Sequence, residues 1–439
     1  MHLLIQLSKT FFLILILLYV WEAYAYFRKK TENGRKKVLR RQIVVIMMMV
    51  VFGFAMIYVH DPDIQVLILG GSVAAFFAAV LILYRIFYRK ASMMLVNHML
   101  MLLGIGFIMI TRLDFDKARK QFLIAAAAYL AAFLIPVIIR KLTFLQNLSL
   151  VYAVVGLLAL SAVFVLAAIS GGAKLSLTVG GISIQFSEIV KITLVFFLAS
   201  YLYQDRSFKR VTIATVVAAI HVILLVLSTD LGSAAVFFVA YLVMIYAATG
   251  KPVYPLAALG GGSLAAVGAY FVFNHVKNRV IAWRDPFAVY DGAGYQVVQG
   301  LFGIGAGGWF GTGLGEGSPA SIPVAAKDYI FAAICEEFGG IFGICLILLC
   351  MSLFLLIIDL AFEIRKPFYR LIALGLGSEY AFQVFLTIGG VTKFIPLTGI
   401  TLPLVSYGGS SVMSTIIMLA IVQGLYMLRE DEEAAIEKD

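Results

Sequence analysis

The chain has 439 residues, of which 62% are hydrophobic and only 13% are charged, and its mean hydropathy is +1.00. This composition excludes a soluble protein of this size and indicates an integral membrane protein. The net charge of +10 would suit a nucleic-acid partner, but in a membrane protein it is more typical of basic cytoplasmic loops. The cysteines share one apolar segment without a CxxC pair, and the histidines lack metal-ligand spacing. This pattern favours buried or lipid-facing fillers over a disulfide or metal centre.

Thirteen apolar segments are long enough, or nearly so, to cross a bilayer, which takes roughly 20 residues. In chain order they cover residues 11–27, 43–59, 64–84, 93–110, 119–138, 148–169, 187–203, 211–228, 231–249, 253–275, 328–359, 368–391 and 403–428. The predicted fold class is therefore an all-α polytopic membrane protein. The largest extramembrane piece is the apolar, glycine-rich loop 276–327, which we expect to pack on the membrane surface or to enter it as a re-entrant element.

Alternate crossing of these segments divides the loops between two faces of unequal charge. The face that carries residues 28–42 holds 22 of the 34 Lys and Arg residues, and the opposite face holds 11. This bias predicts that the first face is cytoplasmic. The N-terminus and the loop 276–327 are then outside, whereas the short charged tail 431–439 is inside. The first segment has no basic stretch before it, so we interpret it as an anchor rather than a secretory signal.

A group of carboxylates lies at the start of the segment 328–359, where the chain reads KDYIFAAICEEF from Lys327. Asp328 is either a helix N-cap stabilised by the helix dipole or a general base that faces a cleft. Glu336 and Glu337 follow roughly 12–13 Å deeper along a continuous helix. We expect these two glutamates to organise the cavity, either as functional groups or as paired structural ions.

Other polar side chains stand near the same ends of their segments. Glu188 and Lys191 are three residues apart and can form an ion pair on one helical face. Asp230, in the tight turn STDLGS, is either a turn or cap residue or part of a site. Arg112 is either an interface anchor or a ligand for substrate. Together with Lys393, the cations Arg112 and Lys191 could converge on a phosphate.

Two stretches are interrupted by glycine and proline. Residues 300–317, GLFGIGAGGWFGTGLGEG, contain a GxGxxG match, but a dinucleotide site would need a preceding strand in a βαβ unit. We interpret these glycines as allowing sharp turns and close backbone approach. Residues 396–411, PLTGITLPLVSYGGSS, are typical of broken helices that line polar cavities. From the residues alone, the chain is a transporter or an enzyme with an outward polar cleft.

Five motifs, in order, resemble the SEDS family (shape, elongation, division and sporulation), which contains FtsW, RodA and SpoVE. The strongest match is PLTGITLPLVSYGGSS, which is similar to the family's terminal signature. The others are Phe186-Ser187-Glu188 with Lys191, Thr229-Asp230-Leu231-Gly232, Trp283-Arg284-Asp285-Pro286 with GYQVVQ at 294–299, and KDYIFAAICEEFGG. The similarity covers about residues 93–428 and ten segments. We therefore predict a SEDS-like core at 91–430 and about three additional spans at 1–90.

The resemblance implies a peptidoglycan glycosyltransferase that polymerises lipid II on the outer face of the cytoplasmic membrane, with Asp328 as the catalytic carboxylate. The predicted substrate-binding residues are Arg112, Glu188, Lys191, Asp230, Trp283, Gln296, Gln299, Lys393 and Ser410. The leaving pyrophosphate needs countercharge, from cations or from a divalent metal ion such as Mg²⁺ or Mn²⁺. The expected partners are lipid II, undecaprenyl pyrophosphate and a class B penicillin-binding protein that acts as transpeptidase.

The sequence departs from the family pattern at several positions. Residues 173–188 lack the family's Arg-Trp and have Phe186 in place of a proline, PVAAKD replaces PE.HTD before Asp328, and Gly300 replaces a common Ser. These changes bear on loop contacts, donor preference or partner choice. The alternative functions are a flippase for lipid-linked precursors and a noncatalytic scaffold for a penicillin-binding protein. The sequence does not distinguish division, elongation and sporulation.

Overall fold

The computed structural model describes residues 2–169, 177–179 and 182–436. Within these ranges the chain is helical except for its loops and one hairpin of two three-residue strands, β1 (Leu177–Val179) and β2 (Ile182–Ile184). The predicted all-α fold class is confirmed, and the small hairpin is an addition that the sequence did not indicate. The departures from the family pattern at residues 173–176 lie outside the described residues.

The helices in the described part of the chain are numbered in order. They are α1 (His2–Arg28), α2 (Glu32–His60), α3 (Ile64–Phe87), α4 (Met93–Leu113), α5 (Phe115–Ala132), α6 (Ile135–Lys141), α7 (Ser149–Ile169), α8 (Phe186–Leu202), α9 (Phe208–Leu227), α10 (Leu231–Thr249), α11 (Val253–Val272), α12 (Asn274–Arg284), α13 (Tyr295–Gly307), α14 (Ile330–Phe338), α15 (Gly340–Glu363), α16 (Pro367–Val391) and α17 (Gly409–Ile436). Short 3₁₀ turns lie at Thr143–Asn147 and Pro319–Ser321.

The predicted segments correspond to helices, but three of them differ in detail. Of the described residues, eleven helical stretches are long and apolar enough to cross a membrane, counting α5 and α6 as one. The helices α7 and α8 occupy the two further predicted segments. A break just before Pro136 separates α5 from α6, because proline has no backbone N–H to donate. The segment 328–359 is divided at Gly339, and α17 begins only at Gly409.

The three N-terminal helices are packed into the bundle. α1 contacts α15, and α2 contacts α4, whose residues are mostly buried. The Tyr19 hydroxyl hydrogen-bonds Nδ1 of His98 over 3.0 Å, and Nε2 of His98 lies 2.9 Å from Ser352 Oγ. Asn97 Nδ2 donates to Gln42 Oε1 over 3.0 Å. Because buried polar groups must find partners, these bonds fix how α1 and α2 pack on α4.

Contacts between helix ends show which parts of the chain lie together at each end of the bundle. At one face, Asp431 on α17 accepts hydrogen bonds from Lys90 over 2.6 Å and from Arg140 over 2.9 Å. Residues 431–436, predicted as part of a tail, continue α17. At the opposite face, Arg112 at the end of α4 meets Glu337 at the end of α14. These two sets of contacts lie at opposite ends of α4, which runs from Met93 to Leu113.

Candidate active site

Asp328 lies in a turn, two residues before α14 begins at Ile330. Tyr329 occupies the N-cap position of α14, and no side chain caps that helix. The interpretation of Asp328 as a helix cap is therefore wrong, because the chain turns once more before the helix starts. The assumption of one continuous helix below Asp328 is also wrong. Gly339 adopts φ +90°, a conformation open mainly to glycine, and ends α14.

The turn that carries Asp328 is held by the broken segment before α17. The N–H of Tyr407 donates to the carbonyl of Ala326 over 2.7 Å, and Ser406 Oγ donates to the carbonyl of Lys327 over 2.6 Å. The same hydroxyl accepts the N–H of Leu402 over 2.9 Å. These bonds fix the backbone on which the Asp328 side chain is mounted.

A polar cavity of about 170 Å³ adjoins Asp328. Four predicted site residues line it together, namely Asp328, Trp283, Gln296 and Lys393. Trp283 Nε1 donates to the carbonyl of Lys393 over 3.1 Å, which orients the indole and ties α12 to the loop after α16. The cavity also contains two polar side chains of α12 that the sequence analysis missed, Asn278 and Arg279.

Asp328 and Arg279 approach each other next to Gly399. A methyl group added at Gly399 would lie 3.6 Å from Asp328 Oδ2 and 3.7 Å from Arg279 Nη2. Gly399 has φ +76°, a conformation that favours glycine. Arg279 Nη1 donates to the carbonyl of Thr398 over 2.7 Å. The backbone thus passes close to both charges and fixes the guanidinium beside the carboxylate.

The Asp328 carboxylate makes no hydrogen bond and no ion pair with any residue that the structure describes. Burial raises the pKa of Asp328 to about 6, against the opposing effect of the positive charges on Lys327 and Arg279. Burial also lowers the pKa of Arg279, while the charges of Asp230 and Asp328 act in the opposite direction. A carboxylate with a pKa near 6 is ionised at neutral pH yet accepts a proton more readily than an ordinary aspartate, which suits a general base.

A second polar cluster lies at the start of α8. Lys191 Nζ donates to Glu188 Oε2 over 2.6 Å and to Gln383 Oε1 over 2.9 Å, and Ser414 Oγ donates to Glu188 over 2.8 Å. The ion pair predicted from the spacing is present, but its members do not line the cavity at Asp328. Glu379, which the sequence analysis missed, is buried within range of both charges. Neither of its carboxyl oxygens has a hydrogen-bond partner in the described chain.

Asp230 joins the starts of α8 and α10. Its Oδ1 accepts the N–H of Ser233 over 3.1 Å, and its Oδ2 accepts from Ser187 Oγ over 2.9 Å and from Gln185 Nε2 over 3.0 Å. The interpretation of Asp230 as a capping residue is confirmed. The N–H of Gln185 donates to Ser410 Oγ over 2.8 Å, so Ser410 lies beside this cluster and links it to α17.

Arg112, Glu336 and Glu337 form a third cluster, at the end of α14. Arg112 Nε donates to Glu337 Oε1 over 3.2 Å, and its Nη2 donates to the carbonyl of Gly315 over 3.1 Å. Glu336 Oε1 accepts the N–H of Ser318 over 2.6 Å. The two glutamates therefore hold the glycine-rich loop against α14, which is the structural role foreseen as one alternative.

The three cations that could have converged on a phosphate, judged from the sequence, do not share a site. Lys393 lines the cavity, whereas Lys191 and Arg112 lie beside carboxylates of the other two clusters. Arg279 occupies the cavity in their place. Gln299 lies outside it, where its amide donates to the Tyr290 hydroxyl over 3.1 Å.

No group of three or more His, Cys, Asp or Glu side chains that could hold a metal ion occurs in the described residues. Mg²⁺ is commonly bound by one or two carboxylates together with substrate phosphates. Asp328 is the one carboxylate among the described residues that line this cavity, so a divalent ion there would be held mainly by the pyrophosphate and would supply positive charge. The cysteines Cys335, Cys345 and Cys350 are buried and free of disulfides, as predicted for fillers.

Comparison with known proteins identifies a family for this chain and a similar protein of named activity. The FtsW, RodA and SpoVE family model, described as a cell cycle protein, matches residues 91–430. The chain belongs to this family. The peptidoglycan glycosyltransferase RodA of Mycobacterium tuberculosis is 36% identical over 349 residues, which cover 73% of this chain and 74% of that relative. Together with the apolar helices, family membership establishes a multi-pass bacterial membrane protein.

Two solved structures of similar fold extend the comparison. The crystal structure of the rod shape determining protein RodA from Thermus thermophilus is 25% identical and matches with a TM-score of 0.58, covering 76% of this chain and 96% of that chain. One chain of a peptidoglycan synthase complex, described as coordinating polymerization and crosslinking, is 23% identical and matches with a TM-score of 0.63. It covers 78% of this chain and 98% of that chain. The helices of the FtsW, RodA and SpoVE family are thus arranged similarly here.

Proposed function

We propose that this chain is a peptidoglycan glycosyltransferase that polymerises lipid II into glycan strands. The observation that carries the proposal is the Asp328 carboxylate, which is free of bonds to the described residues and lies in a polar cavity beside Arg279. A relative of the same family, the mycobacterial RodA, is named for this activity. Family membership supports the proposed reaction, and the cavity beside Asp328 supports the proposed site.

In the proposed reaction, Asp328 is the general base. The 4-hydroxyl of the acceptor sugar gives its proton to an Asp328 oxygen, and the hydroxyl oxygen attacks the anomeric carbon of the donor MurNAc. The bond from that carbon to undecaprenyl pyrophosphate breaks, and the leaving group takes the electron pair. Attack on the side opposite the leaving group inverts the configuration at that carbon. With a pKa of about 6, most Asp328 side chains are ready to accept a proton at neutral pH.

Arg279 and Lys393 are the proposed countercharges for the departing pyrophosphate. Both line the cavity, and a guanidinium can contact two phosphate oxygens at once. The bond from Arg279 to Thr398 fixes the guanidinium before substrate arrives, so little reorganisation is needed as charge develops. A divalent ion bound through the pyrophosphate would supply further positive charge.

The remaining predicted residues are proposed to act at greater distance from the reaction. Trp283 and Gln296 line the cavity and are proposed to contact the sugars away from the bond that breaks. Glu188, Lys191 and Asp230 are proposed to position the backbone around the cavity, since their bonds join α8 to α10, α16 and α17.

The cavity is proposed to open at the outer face of the membrane. The excess of Lys and Arg lies at the opposite end of the bundle, which is the cytoplasmic pattern. The N-terminus is then outside and the C-terminus inside. Lipid II presents its sugars outside once it has crossed the membrane, and its chain remains in the bilayer between the helices.

A class B penicillin-binding protein is the proposed partner. One structurally similar chain belongs to a peptidoglycan synthase complex described as coordinating polymerization and crosslinking, and crosslinking is the transpeptidase reaction. Residues 1–90 precede the family match and are proposed as an addition to a core at 91–430. Co-purification of the native protein would identify the partner and hence the role in division, elongation or sporulation.

Polymerisation of lipid II by the purified protein, together with its co-purified partner if needed, tests the proposed activity. An enzyme yields glycan strands in detergent, where neither a flippase nor a noncatalytic scaffold yields polymer. To exclude polymerisation by the partner, the partner is also assayed without this chain. If no strands form under conditions where a known polymerase works, the proposal is wrong.

A further inference from the structure

Four exposed aromatic side chains lie next to the cavity, and we call them the aromatic platform: Phe287, Tyr290, Tyr295 and Phe302. They are between 37% and 58% exposed. The ring centroids of Phe287 and Phe302 are 6.2 Å apart, and those of Tyr290 and Tyr295 are 5.4 Å apart. Each pair joins the turns before α13 to α13 itself. Tyr295 and Phe302 are seven residues apart on α13, so the two pairs lie along one face of that helix.

The platform is continuous with the cavity through α13. Tyr295, Gln299 and Phe302 share one face of this helix, because residues three and four apart are neighbours. Gln296 follows Tyr295 and lines the cavity, as does Ala293 in the turn that precedes the helix. A ligand that extends from the cavity along this side of α13 therefore reaches the platform.

The chemistry around the rings favours a saccharide over lipid as the occupant. Asp285 and Asp291 are exposed within two residues of platform members, and carboxylates are costly to immerse in hydrocarbon. The Gln299 amide and the Tyr290 hydroxyl, bonded to each other, place polar groups among the rings. Flat aromatic faces with a few hydrogen-bonding groups suit a sugar, which has apolar C–H faces and a rim of hydroxyls.

We propose that the aromatic platform binds sugar units of the growing glycan strand beyond the donor position and thereby sets how long the strand stays bound. The inference rests on the proposed function, since the strand is the product of that reaction. A polymerase that retains its strand between additions adds many units before release. Contacts at the platform slow release without touching the reacting atoms, so they affect strand length more than the rate of bond formation.

The test measures strand length and initial lipid II consumption by the purified full chain, using fluorescent lipid II. Phe302→Ala is compared with wild type and with Trp309→Ala, whose ring is 64% exposed on the same loop but outside the platform. We expect Phe302→Ala to shorten the mean strand roughly two- to tenfold, since one aromatic contact changes a dissociation rate by about that factor. Initial consumption should stay near wild type, and Trp309→Ala should change neither quantity.

Phe302→Leu and Phe302→Trp separate sugar stacking from membrane anchoring. Leucine keeps an apolar side chain for lipid but has no flat face, so it should give short strands, whereas tryptophan should keep them long. Strands of wild-type length from both Phe302→Ala and Phe302→Leu would overturn the inference. Short strands from Phe302→Ala that leucine fully restores would assign the platform to the membrane and also overturn it. If the wild-type protein forms no polymer, the proposed function fails too, and that outcome is visible before any variant is made.

Discussion

Replacing Lys191 by methionine removes the positive charge at the centre of a buried cluster. Lys191 is 6% exposed, and its amine donates to Glu188 and Gln383. Without the amine, Glu188 keeps a hydrogen bond from Ser414, and Glu379 keeps no bonded partner among the described residues. Removing one partner of a buried ion pair costs about 3–5 kcal/mol. Because Glu188 is then left buried without its cation, we expect Lys191→Met to lower the free energy of unfolding by about 3–5 kcal/mol.

Reversible unfolding of the purified protein in mixed detergent micelles, followed by circular dichroism, measures this loss. A triple variant that adds Glu188→Gln and Glu379→Gln carries no charge in the cluster, and it should regain most of the stability. Exchanging Glu188 and Lys191 keeps an ion pair but brings a carboxylate towards Glu379. The exchanged variant should therefore be more stable than either single variant and less stable than the triple variant. A loss of about 1 kcal/mol or less in Lys191→Met, the size expected for an exposed pair, would refute the reasoning.

Two further predictions concern the cavity. The rate of polymerisation should rise roughly tenfold between pH 5 and pH 7, because a base with a pKa of about 6 at Asp328 becomes mostly ionised over that interval. A rate that is already constant at pH 5 would contradict this assignment. Arg279→Ala should lower the maximal rate about a hundredfold or more, the usual effect of losing one donor to developing charge. Arg279→Lys should keep part of the rate through its charge, and an undiminished rate in Arg279→Ala would remove this residue from the reaction.

The helices could be predicted from the sequence because a membrane span must bond its own backbone groups and expose apolar side chains. The breaks within the predicted segments were harder to find. Pro136 marks one of them, but a glycine within an apolar run ends a helix only where packing imposes an unusual conformation. Gly339 shows this dependence, since a methyl group there would lie 2.4 Å from the backbone nitrogen of Gly311. The partner segment is far away in the sequence.

The site could be predicted in part. Spacing along one helix predicted the pair of Glu188 and Lys191, and the family resemblance pointed to the motif residues that surround the cavity. Arg279 was missed because α12 carries three cations, and only the folded chain shows that this one faces Asp328. Glu379 could have been found, because a lone acid in a long apolar run is a functional or structural exception. Sequence could not reveal that Glu337 neutralises Arg112, because the two residues are 225 positions apart.

The rate of lipid II polymerisation by Asp328→Asn tests the central claim most directly. The pKa of Asp328 is raised from its ordinary value of 3.8 to about 6, so its contribution to stability falls as the pH rises through that interval. The neutral variant should therefore fold at least as well as wild type at pH 7.

The control is Asp116→Asn, which removes the same negative charge from an exposed residue at the same end of the bundle. We predict that Asp328→Asn polymerises at least about a hundredfold more slowly, the lower range for loss of a general base, while Asp116→Asn keeps the wild-type rate. Wild-type polymerisation by folded Asp328→Asn would contradict the account.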